Sequence, residues 1–314
     1  MMTVLRNPAA GGARNVRLWP EIEAGLARVF PAFEVVETRR GQTAQQARAA
    51  VEAGAEHILA IGGDGTISAA ADGILRSSRP DVPLSFLPAG TGADFARNFL
   101  WPATLADRLA ALADAPQTRL DVIAVERWTG GRWDHVSHAV NIASAGVSGE
   151  IIAAMAGRSG FRQSLPFTLR YRLNCIHGIL RYAQKSLQIL VDGEEVASGP
   201  MLVVAVCNGG WFGAGINAGP DARPDDGLLD VIIARGSHVA GNLAVFSAFD
   251  RGTHLSHSRV IKVQGRVVEL LPLTGPAASA EADGEIMPSA PLRLSVLPQA
   301  LNVRLSALKG KWLK

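Results

Sequence analysis

Along the first third of the chain, short apolar runs alternate with stretches whose apolar residues recur every three or four positions. Residues 3–6, 33–37, 57–60 and 84–87 read as strands. Between them, Leu18, Ile22, Leu26, Val29 and Phe30 share one helical face over 18–30. A second helix is predicted over 43–53 with Thr43 as its cap, and a third from about 66 to 76. Strand–helix alternation of this kind predicts a parallel sheet covered by helices on both faces. After Ala115-Pro116 the pattern changes. Short β-rich runs appear at 120–126, 137–142, 187–191, 202–207, 228–234, 260–263, 267–271 and 292–296. Turns such as Val191-Asp192-Gly193 and Asp225-Asp226-Gly227 separate some of them. Helical spacing returns over 165–184 and 239–249. This second part reads as an antiparallel β domain with helical insertions, and the boundary falls near residue 120.

Composition narrows the class. A chain of 314 residues, 48% hydrophobic and 19% charged, describes a globular protein with room for two cores, not a disordered chain or a coiled coil. A net charge of +3 is too weak to argue for nucleic acid, and no such partner is expected. The mildly basic balance favours anionic partners, such as phosphates or an acidic membrane surface. Cys175 and Cys207 lie far apart in apolar surroundings, so buried free thiols in a reducing cytoplasm are expected. No run approaches the length of a membrane span, and the N-terminus is too poor in apolar residues for a signal peptide. Any contact with a membrane is therefore expected to be peripheral, at its inner face. Oligomeric state leaves no mark in the pattern.

Chemistry enters at the strand ends. The run 57–60 stops in Ile61-Gly62-Gly63-Asp64-Gly65-Thr66, three glycines around one Asp, with a helix to follow. Such a turn exposes backbone N–H groups at a helix N-terminus and makes a cradle for phosphate. It has no P-loop Lys and is not G-x-G-x-x-G. Asp64 would repel phosphate unless magnesium or water mediates, which points to a nucleoside triphosphate with a metal, and so to phosphoryl transfer. A second turn, Pro88-Ala89-Gly90-Thr91-Gly92-Ala93-Asp94-Phe95-Ala96-Arg97, follows the next strand and emerges at the same sheet edge.

These two turns together resemble the soluble diacylglycerol kinase and lipid kinase family. Asn7-Pro8-Ala9-Ala10-Gly11-Gly12 matches the family's opening turn. Leu120-Asp121-Val122, Cys207-Asn208-Gly209-Gly210, residues 220–230 and Asp283-Gly284-Glu285 follow in the family's order. Ala93 departs from it, standing where the family often carries Asn. The resemblance implies an α/β N-terminal domain of NAD-kinase/phosphofructokinase-like type, at 1–120, which binds nucleotide. It also implies a β-rich antiparallel sandwich at 121–304 for the lipid, an active site in the cleft between the two, and a tail of about 305–314 that returns to the first domain. Asn7, Gly62, Gly63, Asp64, Gly65, Thr66, Ile67, Ser68 and Thr91 would hold the phosphates of ATP. Thr38 would also contact ATP, with an ordinary strand-end Thr as the alternative.

By the same resemblance, Asp226 would bind a structural Mg2+ through its carboxylate, with Arg223 and Leu228 adding carbonyl oxygens. The alternative is a solvated acidic turn. Glu285 is the candidate base for the acceptor hydroxyl, with Asp283 supporting it or contacting the metal network, and the reverse assignment stays open. Asp64, Asp94 and Asp121 would complete the acidic cluster. The activity implied is transfer of the γ-phosphoryl group of ATP to a lipid hydroxyl, with diacylglycerol first and sphingoid bases or ceramide as alternatives. NAD kinase shares the first turn, and a non-catalytic nucleotide-binding protein of this fold is a third reading.

Three further features are expected to be structural. His254 and His257 read as a surface loop and not as a zinc site, and His135 and His138 as parts of a hairpin. The basic, aromatic segment from Arg158 to Lys185, with Phe161, Phe167, Tyr171 and Leu180, reads as a helix packed on the β domain with a charged outer face, in preference to a membrane-docking element. The tail Lys309-Gly310-Lys311-Trp312-Leu313-Lys314 would give only marginal contact with anionic headgroups.

Overall fold

Continuous apolar runs become strands covered on both faces, and amphipathic runs become the helices that cover them. The computed structural model describes residues 1–11, 13–89, 92–156, 167–275 and 277–305. Thr91, Arg158, Phe161 and the tail 306–314 lie outside the described residues, as does the start of the helix expected at 165. The chain divides into two compact units, Met1–Asp121 with the chain from Pro298 onward, and Val122–Leu297.

The first unit runs β1 (Met2–Arg6), α1 (Ala13–Val29), β2 (Phe33–Glu37), α2 (Thr43–Glu52), β3 (His57–Gly62), α3 (Asp64–Leu75), β4 (Leu84–Pro88) and α4 (Leu105–Ala113). Its strands pair in parallel in the order β2-β1-β3-β4. All six residues of β3 are buried, as a central parallel strand requires. The edge strand β2 is mostly exposed and carries Glu34 and Glu37, charges that discourage further pairing. Ile22 and Leu26 of α1 and Leu109 and Leu112 of α4 pack with Val4, Leu59 and Ile61 of the sheet. Thr104 caps α4 by accepting the Asp107 N–H at 3.1 Å. In α3, Gly73 lets the helix approach Ala44 and Ala47 of α2, where a Cβ would collide with backbone.

The second unit is antiparallel. In chain order it holds β5 (Gln117–Trp128, which begins in the first unit), β6 (Trp133–Ala139), β7 (Ile142–Gly146), α5 (Val147–Ala156), α6 (Phe167–Arg181), β8 (Lys185–Val191) and β9 (Glu194–Cys207). There follow β10 (Trp211–Phe212), β11 (Ile216–Asn217), β12 (Leu229–Arg235), α7 (Val239–Asp250), β13 (Val260–Gly265), β14 (Val267–Thr274), β15 (Ala280–Ala282), β16 (Glu285–Met287) and β17 (Leu292–Arg304). The long β9 pairs with β7, β8 and β12. Its alternate residues serve two cores. Val204 and Val206 enter the one shared by the strands, while Val203, Ala205 and Cys207 enter the one roofed by α5, α6 and α7. Cys175 and Cys207 are both buried and free. Strand β17 ends in the first unit, where Val303 pairs in parallel with Leu84 of β4.

Two expectations change here. His254 is no surface residue: it is fully buried, stacked on Phe249 at 4.2 Å, with Nε2 2.8 Å from the Ala218 carbonyl. Burial against an aromatic face outweighs its polarity because one ring nitrogen keeps a partner. The outer face of α6 is also not the charged surface expected. Tyr171, Cys175 and Ile179 point into the core, and the opposite side exposes Leu169, Leu173, Ile176 and Leu180. No helix among the described residues is long and apolar enough to cross a membrane.

Candidate functional site

The parallel sheet of the first unit sets four loops side by side at the C-terminal ends of its strands. Arg6 lies opposite Glu37 and Ile61, and Gly62 opposite Pro88, so β1 to β4 end in register. The ladder continues one step past the strands. Thr38 N–H donates to the Arg6 carbonyl at 2.7 Å, Asn7 N–H to Ile61 at 2.9 Å, and Ala89 N–H to Gly62 at 2.8 Å. Asn7, Thr38, Gly63 and Ala89 therefore leave the sheet from one edge, where open α/β sheets take their ligands.

Side chains then tie these loops together. Asn7 Nδ2 donates to Thr66 Oγ1 at 2.9 Å. Both oxygens of Asp64 are used in the same way: Oδ2 accepts the Asp94 N–H at 3.0 Å and Oδ1 the Phe95 N–H at 2.9 Å. The acidic residue that looked hostile to phosphate thus joins the two glycine turns, and each oxygen keeps a second lone pair for a cation or water. Phe95 anchors the second turn in a cluster with Phe86 and Phe99, at 5.3 and 5.1 Å, while Asp94 pairs with Arg97 at 3.2 Å. Helix α3 starts at Asp64, two residues before the sequence signal, because an acidic first-turn residue suits a helix N-terminus. The N–H groups of Thr66 and Ile67 donate to the Gly63 carbonyl, and Ile67 is fully buried, so it anchors the helix. Ser68 is buried beside it.

The glycines differ in what they require. Gly63 has φ −89° and ψ −176°, extended backbone open to any residue, so its lack of a side chain concerns what approaches it from outside. Gly62 is the sterically bound one, since a Cβ there would lie 2.5 Å from the Thr66 Cβ. Ala93, where the family often has Asn, takes φ +50°, a left-handed conformation that Asn tolerates better than Ala. Asp121 is buried in β5, and its Oδ1 accepts the Gln299 N–H at 2.7 Å, which fixes the returning chain.

In the second unit, Asp283-Gly284 is the two-residue turn between β15 and β16, with φ +49° and +84°. The Asp283 carboxylate accepts the backbone N–H groups of Val140, Asn141 and Ile142 at 2.7, 3.1 and 2.9 Å. From the other direction, Asn208 Nδ2 donates to the Val140 carbonyl at 2.7 Å, and the Asn208 and Gly209 N–H groups donate to Asn141. The motifs around Asn208 and Asp283 form one clamp on residues 140–142. The run expected as one strand over 137–142 is split there into β6 and β7, because Asp283 takes the N–H groups a ladder would use. Glu285, paired across the hairpin with Ala282, is exposed. Asp283 positions this hairpin; Glu285 is its accessible carboxylate.

Sequence reasoning missed Glu281. It is buried in β15 with its side chain on Ser144 Oγ, which also bonds Ser148 Oγ at 2.8 Å, and its Oε2 accepts the Gly284 N–H at 2.9 Å. The available signal was alternation: Ala280 and Ala282 enter the strand core, so Glu281 faces the other way. Burial pushes its carboxyl from an ordinary 4.5 up to about 7. Between these values the folded protein holds a proton the unfolded chain has lost, so stability falls as pH rises from about 4.5 to about 7. Glu281→Gln is expected to flatten that slope and to raise stability above pH 7, by up to about 3 kcal/mol. Urea unfolding at a series of pH values measures it, and parallel curves for the two proteins would contradict it.

The turn at 220–228 is an oxygen-rich loop. Asp221 pairs with Lys262 at 2.8 Å and Asp225 with Arg223 at 3.2 Å, while Asp226 Oδ1 accepts the Leu228 N–H at 3.0 Å and Gly227 takes φ +72°. One carboxylate with the carbonyls of Arg223 and Leu228 is a donor set suited to a hard cation.

Comparison with known proteins agrees with this fold. The diacylglycerol kinase catalytic domain model matches residues 1–125, and the YegS C-terminal NAD kinase beta sandwich-like domain model matches residues 141–305. A diacylglycerol kinase of Mycobacterium tuberculosis is 27% identical, covering 96% of this chain and 94% of its own. A Pseudomonas aeruginosa protein described as "Probable lipid kinase YegS-like" is 30% identical, covering 82% of this chain and 79% of its own. A crystal structure from Bacillus anthracis str. Sterne shares the fold with a TM-score of 0.75 at 18% identity, covering 97% and 96% of the two chains. With one family model over each part of the sequence and relatives aligned through most of its length, the chain belongs to the diacylglycerol kinase and YegS-like lipid kinase family.

Proposed function

We propose that this protein transfers the γ-phosphoryl group of ATP to the hydroxyl of a membrane lipid, with diacylglycerol as the first acceptor and magnesium required. The observation that carries the reading is the Asp64 carboxylate, which joins both glycine turns at the sheet edge where Asn7 and Thr38 also emerge. The first turn of α3 offers backbone N–H groups to the phosphates, and Gly63 leaves room for their approach. Thr91 of the second turn is the further phosphate contact in this reading. Asp64, Asp94 and Asp121 are the carboxylates that would organise magnesium, whose charge offsets that of the phosphates. Glu285 takes the proton of the acceptor hydroxyl as its oxygen bonds to the γ-phosphorus and the bond to the ADP oxygen breaks.

Incubation of the purified protein with labelled ATP, magnesium, a panel of lipid alcohols and NAD tests the reading. Label is expected in a phosphorylated lipid, diacylglycerol before sphingoid bases or ceramide. Label in NAD with none in any lipid would overturn it, and label in neither would favour a nucleotide-binding protein without turnover.

A structural magnesium at Asp226, Arg223 and Leu228 would brace the turn leading into β12. Asp226→Ala removes the only charged donor of that set. It is expected to lose one bound magnesium by metal analysis and, at saturating magnesium, about 2–3 kcal/mol of stability, or roughly 5–10 °C in Tm. Equal metal content in the two proteins would remove the assignment.

A further inference from the structure

The outer face of α6 is apolar where a surface helix is normally polar. Leu169, Leu173, Ile176 and Leu180 are between 39% and 53% exposed. At 3.6 residues per turn these positions fall within an arc of about 60°. Their centre lies about 170° around the helix from Tyr171 and about 130° from Cys175, two of the residues that hold the helix to its core. The stripe is continuous over three turns and cannot be the rim of the buried face. The charges that the helix itself carries beside it have one sign. Arg170, Arg172 and Arg181 flank it, Lys185 follows, and 167–185 contains no Asp or Glu. Arg172, 53% exposed, also pairs with Asp250 of α7 at 2.8 Å.

We infer that α6 is a docking element for an anionic lipid bilayer: the four aliphatic side chains enter the headgroup–acyl boundary, and the arginines along the stripe meet lipid phosphates. Apolar residues at this spacing with cations beside them are the composition of helices that lie in a membrane interface. The charge fits anionic lipid and disfavours an acid-free helix face pairing with a second copy of itself. The inference rests on the lipid-kinase reading for its purpose, since an enzyme whose acceptor stays in the bilayer needs a surface that seats it there.

The test is co-sedimentation, without nucleotide, with vesicles of phosphatidylcholine alone or mixed with phosphatidylglycerol. The wild-type protein is expected to bind the mixed vesicles, and added salt should weaken that binding. The double variant Leu173→Asp, Ile176→Asp should lose about tenfold or more of the affinity. Arg181→Gln should lose roughly fivefold on mixed vesicles and nothing on phosphatidylcholine. All of these positions are exposed, so Tm should hold. Wild-type protein that ignores mixed vesicles, or a double variant that binds them equally, would overturn the inference. So would a wild-type dimer that the double substitution turns into monomer, since the stripe would then be a contact between copies. Phosphorylation of a short-chain, water-dispersed diacylglycerol separates the two readings. If the enzyme reading fails, no acceptor is labelled although vesicles are bound; if docking fails, both proteins label it equally while vesicle binding does not depend on α6.

Discussion

Glu285→Gln is expected to lower the rate of phosphoryl transfer by about a hundredfold to ten-thousandfold while leaving nucleotide affinity nearly unchanged. The substitution keeps the shape of the side chain and removes the group that takes the hydroxyl proton. Because Glu285 is exposed at the start of β16, the change should alter stability by no more than about 0.5 kcal/mol. Lost turnover would then report chemistry and not unfolding. Asp283 is the competing candidate, and its surroundings argue for another role: its carboxylate already accepts three backbone N–H groups of residues 140–142. Asp283→Asn would replace one acceptor oxygen with a donor facing those N–H groups, so it should lower stability and activity together. Single-turnover rates with ATP titration, set beside melting curves, distinguish the two. An E285Q enzyme within a few-fold of wild type would move the base elsewhere.

The second large effect concerns the first glycine turn, where two neighbouring substitutions should fail for different reasons. At Gly63 the backbone is extended and admits a side chain, so Gly63→Val should fold normally. Its branched side chain would occupy the space a phosphate needs, and ATP affinity should fall roughly ten- to a hundredfold. At Gly62 the new side chain would run into Thr66, which holds Asn7 at 2.9 Å. Gly62→Val should therefore cost about 1–3 kcal/mol of stability as well as binding. Calorimetric ATP titration of both variants, with Tm measured in parallel, checks the pair. Gly63→Val with undiminished ATP affinity would make the turn purely structural.

The residues that could be placed from the sequence are those whose signal is local. Gly62-Gly63-Asp64-Gly65-Thr66 follows an apolar run of strand length and precedes a helix, and β3 and α3 meet there as expected. The Val191-Asp192-Gly193 turn also behaves as its composition says, with Asp192 and Gly193 at positive φ between β8 and β9. The Asp-Gly of residues 283–284 makes the same turn, yet its sequence does not reveal that its carboxylate holds residues some 140 positions away. Helix α5 gives no amphipathic period in the sequence, because Gly149 interrupts its first turn and residues 151–156 are all apolar. The outer face of α6 is ambiguous in the sequence for a related reason. With Tyr171, Cys175 and Ile179 on one side and Leu169, Leu173, Ile176 and Leu180 on the other, periodicity alone does not say which apolar stripe is buried.

By itself, then, the sequence determined the strand–helix alternation from β1 to β4, the strand ends that carry glycine turns, and the residue types gathered at them. These follow from backbone sterics, side-chain period and helix-end polarity, all of which act over a few residues. Only the tertiary structure decided how each carboxylate is used. Asp64 joins two loops across 30 and 31 residues, Asp283 clamps a strand break, Asp121 holds the returning chain, Glu281 is buried, and Glu285 is left accessible. A carboxylate's chemistry depends on the number of N–H groups that reach it and on its distance from water. Both are set by segments far apart in the chain, so no local pattern records them.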